Sequence, residues 1–327
     1  MREFDLLQRV FAMNPRLPAS VLVPPGDDMA VLALGGAGAL LVAADSAIEG
    51  RHTPRGCDPY LIGRKAVLRN ISDVAAMGGA RPIATVACVT VPAGLDGAAA
   101  WRLYEGLRET AEAWNAPLVG GDVASFGADV VGAPIVASVT VLAVPVRPGA
   151  RIVTRSEARA GDGVFVTGTI GGAWDPATGL GRHLDFTPRV AVANALVEQL
   201  GERLGAMIDV SDGLGRDLGH IAELSKVASE IALARVPVPP GLDARLALGH
   251  GEDYELAFTA RGEVPSVVAG VPITRIGEVR AGAPSVTVVD GLARWDAAKA
   301  GFEHDGGGVG PTRVQVGGSS EGEIRCP

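Results

Sequence analysis

The fold is decided by the stretch Met207-Ile208-Asp209-Val210-Ser211-Asp212-Gly213-Leu214-Gly215-Arg216-Asp217-Leu218. The apolar residues before Asp209 predict the end of a buried strand, Gly213 predicts a sharp turn, and the following leucines recur at helical spacing. The acidic residues therefore lie at the carboxyl end of a strand, where open α/β sheets bind ligands. Alternatively, Ser211 or Asp212 only caps the helix, an interaction worth about 1 kcal/mol. A cap needs one short polar residue and this turn has three, so both interpretations stay open.

Composition limits the class of protein. The chain has 327 residues, 47% apolar and 20% charged, enough for two ordinary domains with sizeable cores. The net charge is −8 without a Lys/Arg run, so neither nucleic acid nor a membrane is expected as a partner. Cys57, Cys88 and Cys326 lie far apart without zinc-binding spacing, which predicts a reduced, cytoplasmic compartment. The longest uncharged run contains two prolines and is expected to be a core strand rather than a membrane span.

Strand and helix patterns alternate in two successive halves of the chain, which predicts an α/β fold built twice over. The turn Arg147-Pro148-Gly149 is the expected boundary between them. We therefore expect an N-terminal domain over residues 1–147, a C-terminal domain over 148–305, and a flexible Gly/Ser-rich tail over 306–327.

Local signals place the individual elements. Asp58-Pro59 combines an N-cap with a first-turn proline, so a helix is expected from there to about Met77, ending at Gly78-Gly79. Other helices are expected over residues 4–11, 96–114, 187–200 and from 213 to about 226. Strands are expected over residues 29–34, 40–44, 82–91, 118–119, 135–144, 164–168, 231–233, 254–259 and 273–279.

One arrangement recurs at five places: an apolar strand or helix end followed by an aspartate in a Gly/Ser turn. A single such aspartate is more often a turn or cap residue than a ligand. If several converge, their charges repel unless cations neutralise them, and hard oxygen ligands suit Mg²⁺ bound together with substrate phosphates. The candidate metal ligands are Asp27, Asp28, Asp45, Asp73, Asp122, Asp209 and Asp212.

Motifs that are missing also narrow the chemistry. The sequence has no GxxxxGK[ST] motif, which excludes P-loop enzymes. It also has no GxSxG motif, typical of many serine hydrolases, and no HExxH motif, typical of many zinc proteases. The glycine-rich run 168–172 could approach phosphate but is a weak signal alone. There are only three lysines, Lys65, Lys226 and Lys299, so phosphate binding is expected to fall to arginine, backbone N–H groups and metal.

Seven motifs then stand in a characteristic order, and together they resemble the thiamine-monophosphate kinase family of the AIR-synthase-like ATP-binding superfamily. The resemblance covers roughly residues 3–305. The motifs are Gly26-Asp27-Asp28, Asp45 with Glu49-Gly50 and His52, Asn70-Ile71-Ser72-Asp73 through Gly78, Gly120-Gly121-Asp122, Thr154-Arg155-Ser156, Asp209 to Leu214, and Gly251-Glu252-Asp253-Tyr254-Glu255-Leu256.

The resemblance implies a two-domain α/β fold: an N-terminal domain whose sheet pairs with that of a second subunit, giving a homodimer, and a C-terminal α/β sandwich. It implies ATP and several Mg²⁺ between the domains, and transfer of the γ-phosphoryl group to thiamine monophosphate. Its residue matches assign catalytic roles to Asp73, Asp122 and Asp212, ATP contacts to Tyr104, Gly121, Asp122, Arg155 and Ser211, and substrate contacts to His52, Glu252 and Phe302. A structural salt bridge at Arg155 and a core position for Phe302 are the alternatives.

The chain also departs from the pattern of this family, which usually has hydroxyl residues at Ala43 and Ala44, threonine after Asp122, and glycine at position 250. The segment 172–188 is short and is expected to lack most of a helix. Two other functions therefore stay open: an ATP-dependent dehydratase like the hydrogenase-maturation relative, suggested by Cys326 near the C-terminus, and a nucleotide-binding paralogue without catalysis, suggested by the two alanines.

Overall fold

The computed structural model describes residues 9–13 and 16–302. Most of the predicted helix 4–11, the predicted tail 306–327 and Cys326 lie outside these residues. Within them, every helix is too short or too polar to cross a membrane.

The first half of the chain forms a six-stranded sheet in the order β1-β2-β3-β6-β4-β5. Its neighbouring strands are antiparallel except for β4 and β5, which run parallel. The strands are β1 (Val21–Val23), β2 (Ala30–Ala33), β3 (Ala39–Ile48), β4 (Ala80–Val91), β5 (Leu118–Ser125) and β6 (Val136–Pro145).

Two helices, α1 (Pro59–Met77) and α2 (Gly97–Ala113), pack beside this sheet. The predicted start and end of α1 are confirmed: the carboxylate of Asp58 accepts the N–H of Tyr60 at 3.0 Å, and Gly78 at φ 54° follows the last turn. Close packing of α1 on α2 requires glycine, because a Cβ on Gly106 would lie 2.1 Å from the carbonyl oxygen of Tyr60.

The second half forms an eight-stranded sheet of order β14-β13-β9-β12-β7-β10-β8, with β11 paired to β12. All its neighbouring strands are antiparallel except β9 and β13. The strands are β7 (Gly163–Thr167), β8 (Leu204–Asp209), β9 (Ala228–Ala232), β10 (Leu256–Ala260), β11 (Val267–Val268), β12 (Val271–Arg280), β13 (Ser285–Asp290) and β14 (Ala293–Asp296), with helices α3 (Val190–Leu200), α4 (Leu214–Ser225) and α5 (Ala244–Ala247).

Helix α1 lies between the two sheets, and its side chains belong to a hydrophobic core that extends from the first half of the molecule into the second. It packs on β3 and β6 of the first sheet and on β8 of the second. Ile71 and Met77 of α1 are fully buried in one hydrophobic cluster that also contains Met207 of β8 and Phe258 of β10. Side chains on opposite faces of α1 can therefore reach opposite halves of the molecule.

Two aspartates that were predicted to follow strand ends lie inside strands instead. Asp45 is in the middle of β3, and Asp122 is in the middle of β5. The predictions were wrong because the first polar residue after each apolar run was interpreted as the end of the strand. In the structure, β3 stays hydrogen-bonded to β6 as far as Ile48, and β5 stays hydrogen-bonded to β4 as far as Ser125. Asp209, by contrast, is the last residue of its strand, as predicted.

Candidate active site

Six of the seven predicted metal ligands line one cavity of about 450 Å³ between the two sheets, which we call the acidic cleft. This is the point at which residues from β3, α1 and the end of β8 meet. Its lining residues are Asp27, Asp28, Ala43, Ala44, Asp45, Ser46, Ile48, His52, Arg69, Asp73, Arg155, Asp209, Ser211 and Asp212.

At the centre of the acidic cleft, carboxylate oxygens of Asp28, Asp73 and Asp209 all lie within 4.8 Å of one another. Burial raises the pKa of Asp73 well above its ordinary value, and the charges of Asp45, Asp209 and Asp28 raise it further. Burial and the neighbouring Asp28 also raise the pKa of Asp209. Three crowded carboxylates, two of them with raised pKa values, are a donor set suited to a hard divalent cation, which would remove their repulsion.

The motif Asn70-Ile71-Ser72-Asp73 places three polar side chains around this centre from one turn of α1. The side-chain oxygen of Asn70 accepts the backbone N–H of Asp45 at 3.2 Å, which fixes β3 against the helix. The hydroxyl of Ser72 donates to Asp209 Oδ2 at 2.6 Å. One turn of α1 thus holds the carboxylates from β3 and β8 in place around Asp73.

Arg155 makes the structural salt bridge that the sequence left open. Its Nε and Nη2 donate to both carboxylate oxygens of Asp28, at 3.0 and 2.6 Å, and its backbone N–H donates to Asp27 Oδ2 at 3.1 Å. Burial and the charge of Asp28 raise the pKa of Asp27 to about 6. Arg155 is therefore the cation that the chain itself supplies to this side of the acidic cleft.

Sequence reasoning missed Arg69, the second cation of the acidic cleft. Its Nη2 lies 3.1 Å from Asp45 Oδ2, and its Nη1 donates to the carbonyl oxygen of Ser46 at 2.6 Å. Asp45 and Asp73 raise the pKa of its guanidinium against the effect of burial. Its position one turn before Asp73 on the same helix was the available signal.

Sequence reasoning also missed Asp217, which shapes the turn after β8. Neither Ser211 nor Asp212 caps α4; the residue before the helix is Gly213, and no side-chain cap is made there. Instead, Asp217 Oδ2 accepts the N–H groups of Ser211, Asp212 and Gly213 at 3.1 to 3.2 Å. Since one buried carboxylate satisfies three backbone donors, Ser211 and Asp212 are left to line the cavity.

A second cavity adjoins the first and shares His52, Arg69, Ser211 and Asp212 with it. We call it the aromatic cavity, because rings from three parts of the chain line it. It contains all three predicted substrate contacts, His52, Glu252 and Phe302. Its remaining residues are Arg51, Thr53, Pro54, Trp174, Gly179, His183, Gly249, His250, Gly251 and Tyr254.

Phe302 lies in this cavity rather than in the core. The guanidinium of Arg51 lies over its ring, 4.9 Å from the centroid. Trp174 and His250 form a second ring pair at 5.8 Å. His250 accepts the N–H of Gly172 through Nδ1 at 3.4 Å, and burial lowers its pKa, so its ring is neutral at pH 7. The cavity is therefore suited to a flat ring system.

The segment between Gly172 and Pro188 holds only a 3₁₀ turn, Arg182–Leu184, as its shortness predicted. The glycine-rich run before it packs on protein, since the N–H of Gly171 donates to buried Asp253 at 2.7 Å. The run 168–172 is therefore a structural element, and it lines neither cavity.

Three predicted ATP contacts, Tyr104, Gly121 and Asp122, do not line either cavity. Asp45 is separated from Gly121 by β6 and β4, through the register Asp45–Val139–Ala87–Gly121. Three strand spacings amount to about 14 Å, too far for Asp122 and Asp45 of the same chain to share an ion.

Comparison with known proteins identifies the family. Residues 26–144 match the family described as AIR synthase related protein, N-terminal domain. The thiamine-monophosphate kinase of Escherichia coli (strain K12) is 33% identical over 314 residues, which cover 85% of this chain and 90% of the relative. The chain belongs to the thiamine-monophosphate kinase family. It is a kinase, as its relatives are.

Solved structures place the fold in the same family. The structure described as AaThiL complexed with AMPPCP and TMP superposes with a TM-score of 0.71 at 27% identity, over 90% of this chain and 96% of that one. The structure described as the HypE–HypF complex reaches a TM-score of 0.69, but at 20% identity it shows the fold alone. The expected AIR-synthase-like α/β fold is confirmed.

Proposed function

We propose that this kinase transfers the γ-phosphoryl group of ATP to the phosphate of thiamine monophosphate, giving thiamine diphosphate, in an Mg²⁺-dependent reaction in the cytoplasm. The observation that carries the proposal is the junction of the two cavities at His52, Arg69, Ser211 and Asp212. A site that binds phosphates and cations thereby opens into a site that binds flat rings. The relative described with AMPPCP and TMP supports both ligand classes.

The residues of the acidic cleft fit Mg²⁺. Asp28, Asp73 and Asp209 offer three hard oxygens within 4.8 Å of one another, with Asp27, Asp45 and Asp212 around them. When bound there, Mg²⁺ would neutralise phosphate charge and so lower the repulsion between two polyanions. Of the remaining predicted contacts, Arg155 and Ser211 line the same cleft and are proposed to contact the triphosphate.

The chain needs no strong general base for this transfer. The acceptor oxygen belongs to a phosphate that is already anionic at pH 7, so it can attack without losing a proton. What the residues must supply is alignment of the two phosphates and exclusion of water. Arg69 lies at the junction, where it contacts Asp45 on one side and lines the aromatic cavity on the other. Its guanidinium is positioned to hold an anion between the two sites.

The aromatic cavity supplies the acceptor site of this proposal. Phe302 offers a ring face to the planar rings of thiamine, and Trp174 and His250 offer two more. Glu252 adds a carboxylate whose pKa is held well below its usual range by the charge of Lys65, despite its burial. The charge of Glu252 is paired with Lys65, so it is the faces of the aromatic rings that favour a cationic ring such as thiazolium.

We also propose a homodimer through the face of the first sheet that α1 leaves uncovered. Along β3, β4 and β6, alternate residues on this face are partly exposed and mainly small or apolar, including Val42, Val86, Thr140 and Leu142. Asp122 lies on this face, in register with exposed Cys88. A second copy would then supply Asp122, Gly121 and Tyr104 to the ATP site, which one chain cannot do.

Mixed dimers test this assignment. Asp122→Asn and Asp73→Asn are each expected to be inactive alone. If Asp122 acts from the partner, dimers formed from both variants contain one intact site, and up to about a quarter of the activity returns after random exchange. A monomer by light scattering, or mixed dimers without activity, would contradict the proposal.

The main experiment incubates the purified protein with ATP, Mg²⁺ and thiamine monophosphate and separates the products by chromatography. We expect thiamine diphosphate and ADP in equal amounts, and no product from unphosphorylated thiamine. Tight ATP binding without turnover would instead identify the paralogue suggested by Ala43 and Ala44, which both line the acidic cleft. Loss of activity in Cys326→Ser would favour the dehydratase.

A further inference from the structure

Helix α1 buries a lysine beside the aromatic cavity. The side chain of Lys65 is 0% exposed, although a lysine is almost never fully buried unless its charge is paired. Lys226 and Lys299, the only other lysines of the sequence, are partly or fully exposed. Lys65 occupies a position on an apolar helix face, between fully buried Ile62 and Ala66, where a hydrophobic residue would cost less.

The ammonium group of Lys65 has three acceptors, each from a different part of the chain. Its Nζ lies 2.5 Å from the carbonyl oxygen of His52, 2.6 Å from His183 Nδ1 and 2.5 Å from Glu252 Oε2. An ammonium has three hydrogens, so these acceptors use its full capacity. His183 Nε2 lies 2.9 Å from the carbonyl oxygen of Gly179, which assigns the ring proton to Nε2 and leaves Nδ1 free to accept.

The loop that carries Glu252 has a strained backbone conformation, and hydrogen bonds hold it in place. Glu252 and Tyr254 have φ values of 70° and 52°, which non-glycine residues rarely adopt. The N–H of Glu252 donates to the carbonyl oxygen of Ser211, and the hydroxyl of Tyr254 donates to Glu252 Oε2 at 2.9 Å. Lys65 and Tyr254 both bind Oε2, so neither of these contacts uses Oε1.

We propose that Lys65 is a positioning residue that assembles the acceptor site, by tying the loop of His52, the segment of Gly179 and His183, and the loop of Glu252 to one ammonium group. All four of these residues line the aromatic cavity. The proposal rests on the proposed function in naming thiamine monophosphate as the acceptor. The junction itself is independent of the substrate, because it joins three walls of the cavity in the protein alone.

The test compares Lys65→Met with Lys299→Met, a matched change at an exposed lysine. We expect Lys65→Met to raise KM for thiamine monophosphate at least about tenfold, with KM for ATP within about twofold of the wild-type value. Lys299→Met should leave both values unchanged. A folded Lys65→Met protein with an unchanged KM for the acceptor, or with equal losses for both substrates, would overturn the proposal.

Two additions keep the test decisive. If Lys65→Met does not fold, the double variant Lys65→Met/Glu252→Gln removes the carboxylate charge left without its counter-ion, and it is compared with Glu252→Gln alone, so that the difference between them measures Lys65. Amide hydrogen exchange without any substrate separates this proposal from the proposed function. Residues 173–187 and 250–254 should exchange faster in the variant than in the wild type, and unchanged exchange there refutes the role of Lys65 even if the wild type phosphorylates another acceptor.

Discussion

The acidic cleft and the aromatic cavity meet at four residues, yet the pKa values of their carboxylates are shifted in opposite directions. In the aromatic cavity, Glu252 contacts the ammonium of Lys65 and the hydroxyl of Tyr254, and the charge of Lys65 holds its pKa well below the usual range despite burial. In the acidic cleft, Asp73 and Asp209 have other carboxylates as neighbours, and their pKa values are raised. The aromatic cavity pairs Glu252 with a lysine of the chain, whereas the acidic cleft has two arginines for six aspartates and needs further cations from solution. The first is therefore preorganised by the fold, and the second is completed only by its ligands.

The largest expected effect comes from Asp73→Asn, which breaks the acidic cleft. We expect kcat to fall by a factor on the order of 10³, because one of three central oxygen ligands loses its charge. Without metal the same variant should be more stable than the wild type in thermal unfolding, since repulsion among buried carboxylates is relieved.

The control for this change is Asp129→Asn, at an exposed position outside both cavities. It should have wild-type activity and stability. Turnover of Asp73→Asn near the wild-type rate would remove Asp73 from the catalytic set.

The pH dependence of stability sharpens the comparison. Asp27 has a pKa of about 6 in the folded protein, against about 4 in an unfolded chain. The folded state therefore holds this proton more tightly, and the associated stability is complete below about pH 4 and is lost as pH rises through 6. We expect the free energy of unfolding of metal-free protein to be lower at pH 8 than at pH 5, with about 1.4 kcal/mol of the difference from this group.

Denaturant titrations at the two pH values measure this difference, with Asp27→Asn as the matched variant. Asp27→Asn should make the profile shallower by about 1.4 kcal/mol and leave the part due to Asp73 and Asp209, and Mg²⁺ at pH 8 should restore stability to the wild type. A metal-free protein that becomes more stable from pH 5 to pH 8 would contradict the raised pKa.

A smaller effect is expected from Phe302→Ala in the aromatic cavity. Loss of one ring face should raise KM for thiamine monophosphate about tenfold while kcat and KM for ATP change little. Phe302→Tyr is the control, because it keeps the ring beneath Arg51. An equal effect on ATP would place this ring at a site common to both substrates.

The smallest effect is expected from His250→Gly, which introduces the residue that the family resemblance predicts at this position. His250 contributes one ring of the pair with Trp174, so its loss should weaken acceptor binding by about twofold to fivefold. Isothermal titration with thiamine monophosphate measures this change. Tighter binding in the variant would indicate that the histidine obstructs the cavity rather than lining it.

The sequence by itself determined the elements whose signals are local. Asp58-Pro59 and Gly78 fixed both ends of α1, because a cap, a first-turn proline and a C-terminal glycine act within one turn. The motif order indicated the family, and most of the predicted aspartates do line one cleft. The helix ends need only a few neighbouring residues and the family needs only the order of its motifs, so a pattern along the chain is enough to reveal both.

Only the tertiary structure decided which distant groups satisfy one another. Pairing with β6 extends β3 past Asp45, and Arg155 forms the salt bridge with Asp28. The carboxylate of Asp217 accepts a backbone N–H of the turn after β8. The tertiary structure also buried Lys65 among acceptors that lie 13 and 118 residues away along the chain. The reason is physical: burial and partner charges set both the cost and the benefit of a polar group, and both depend on what the fold places beside it.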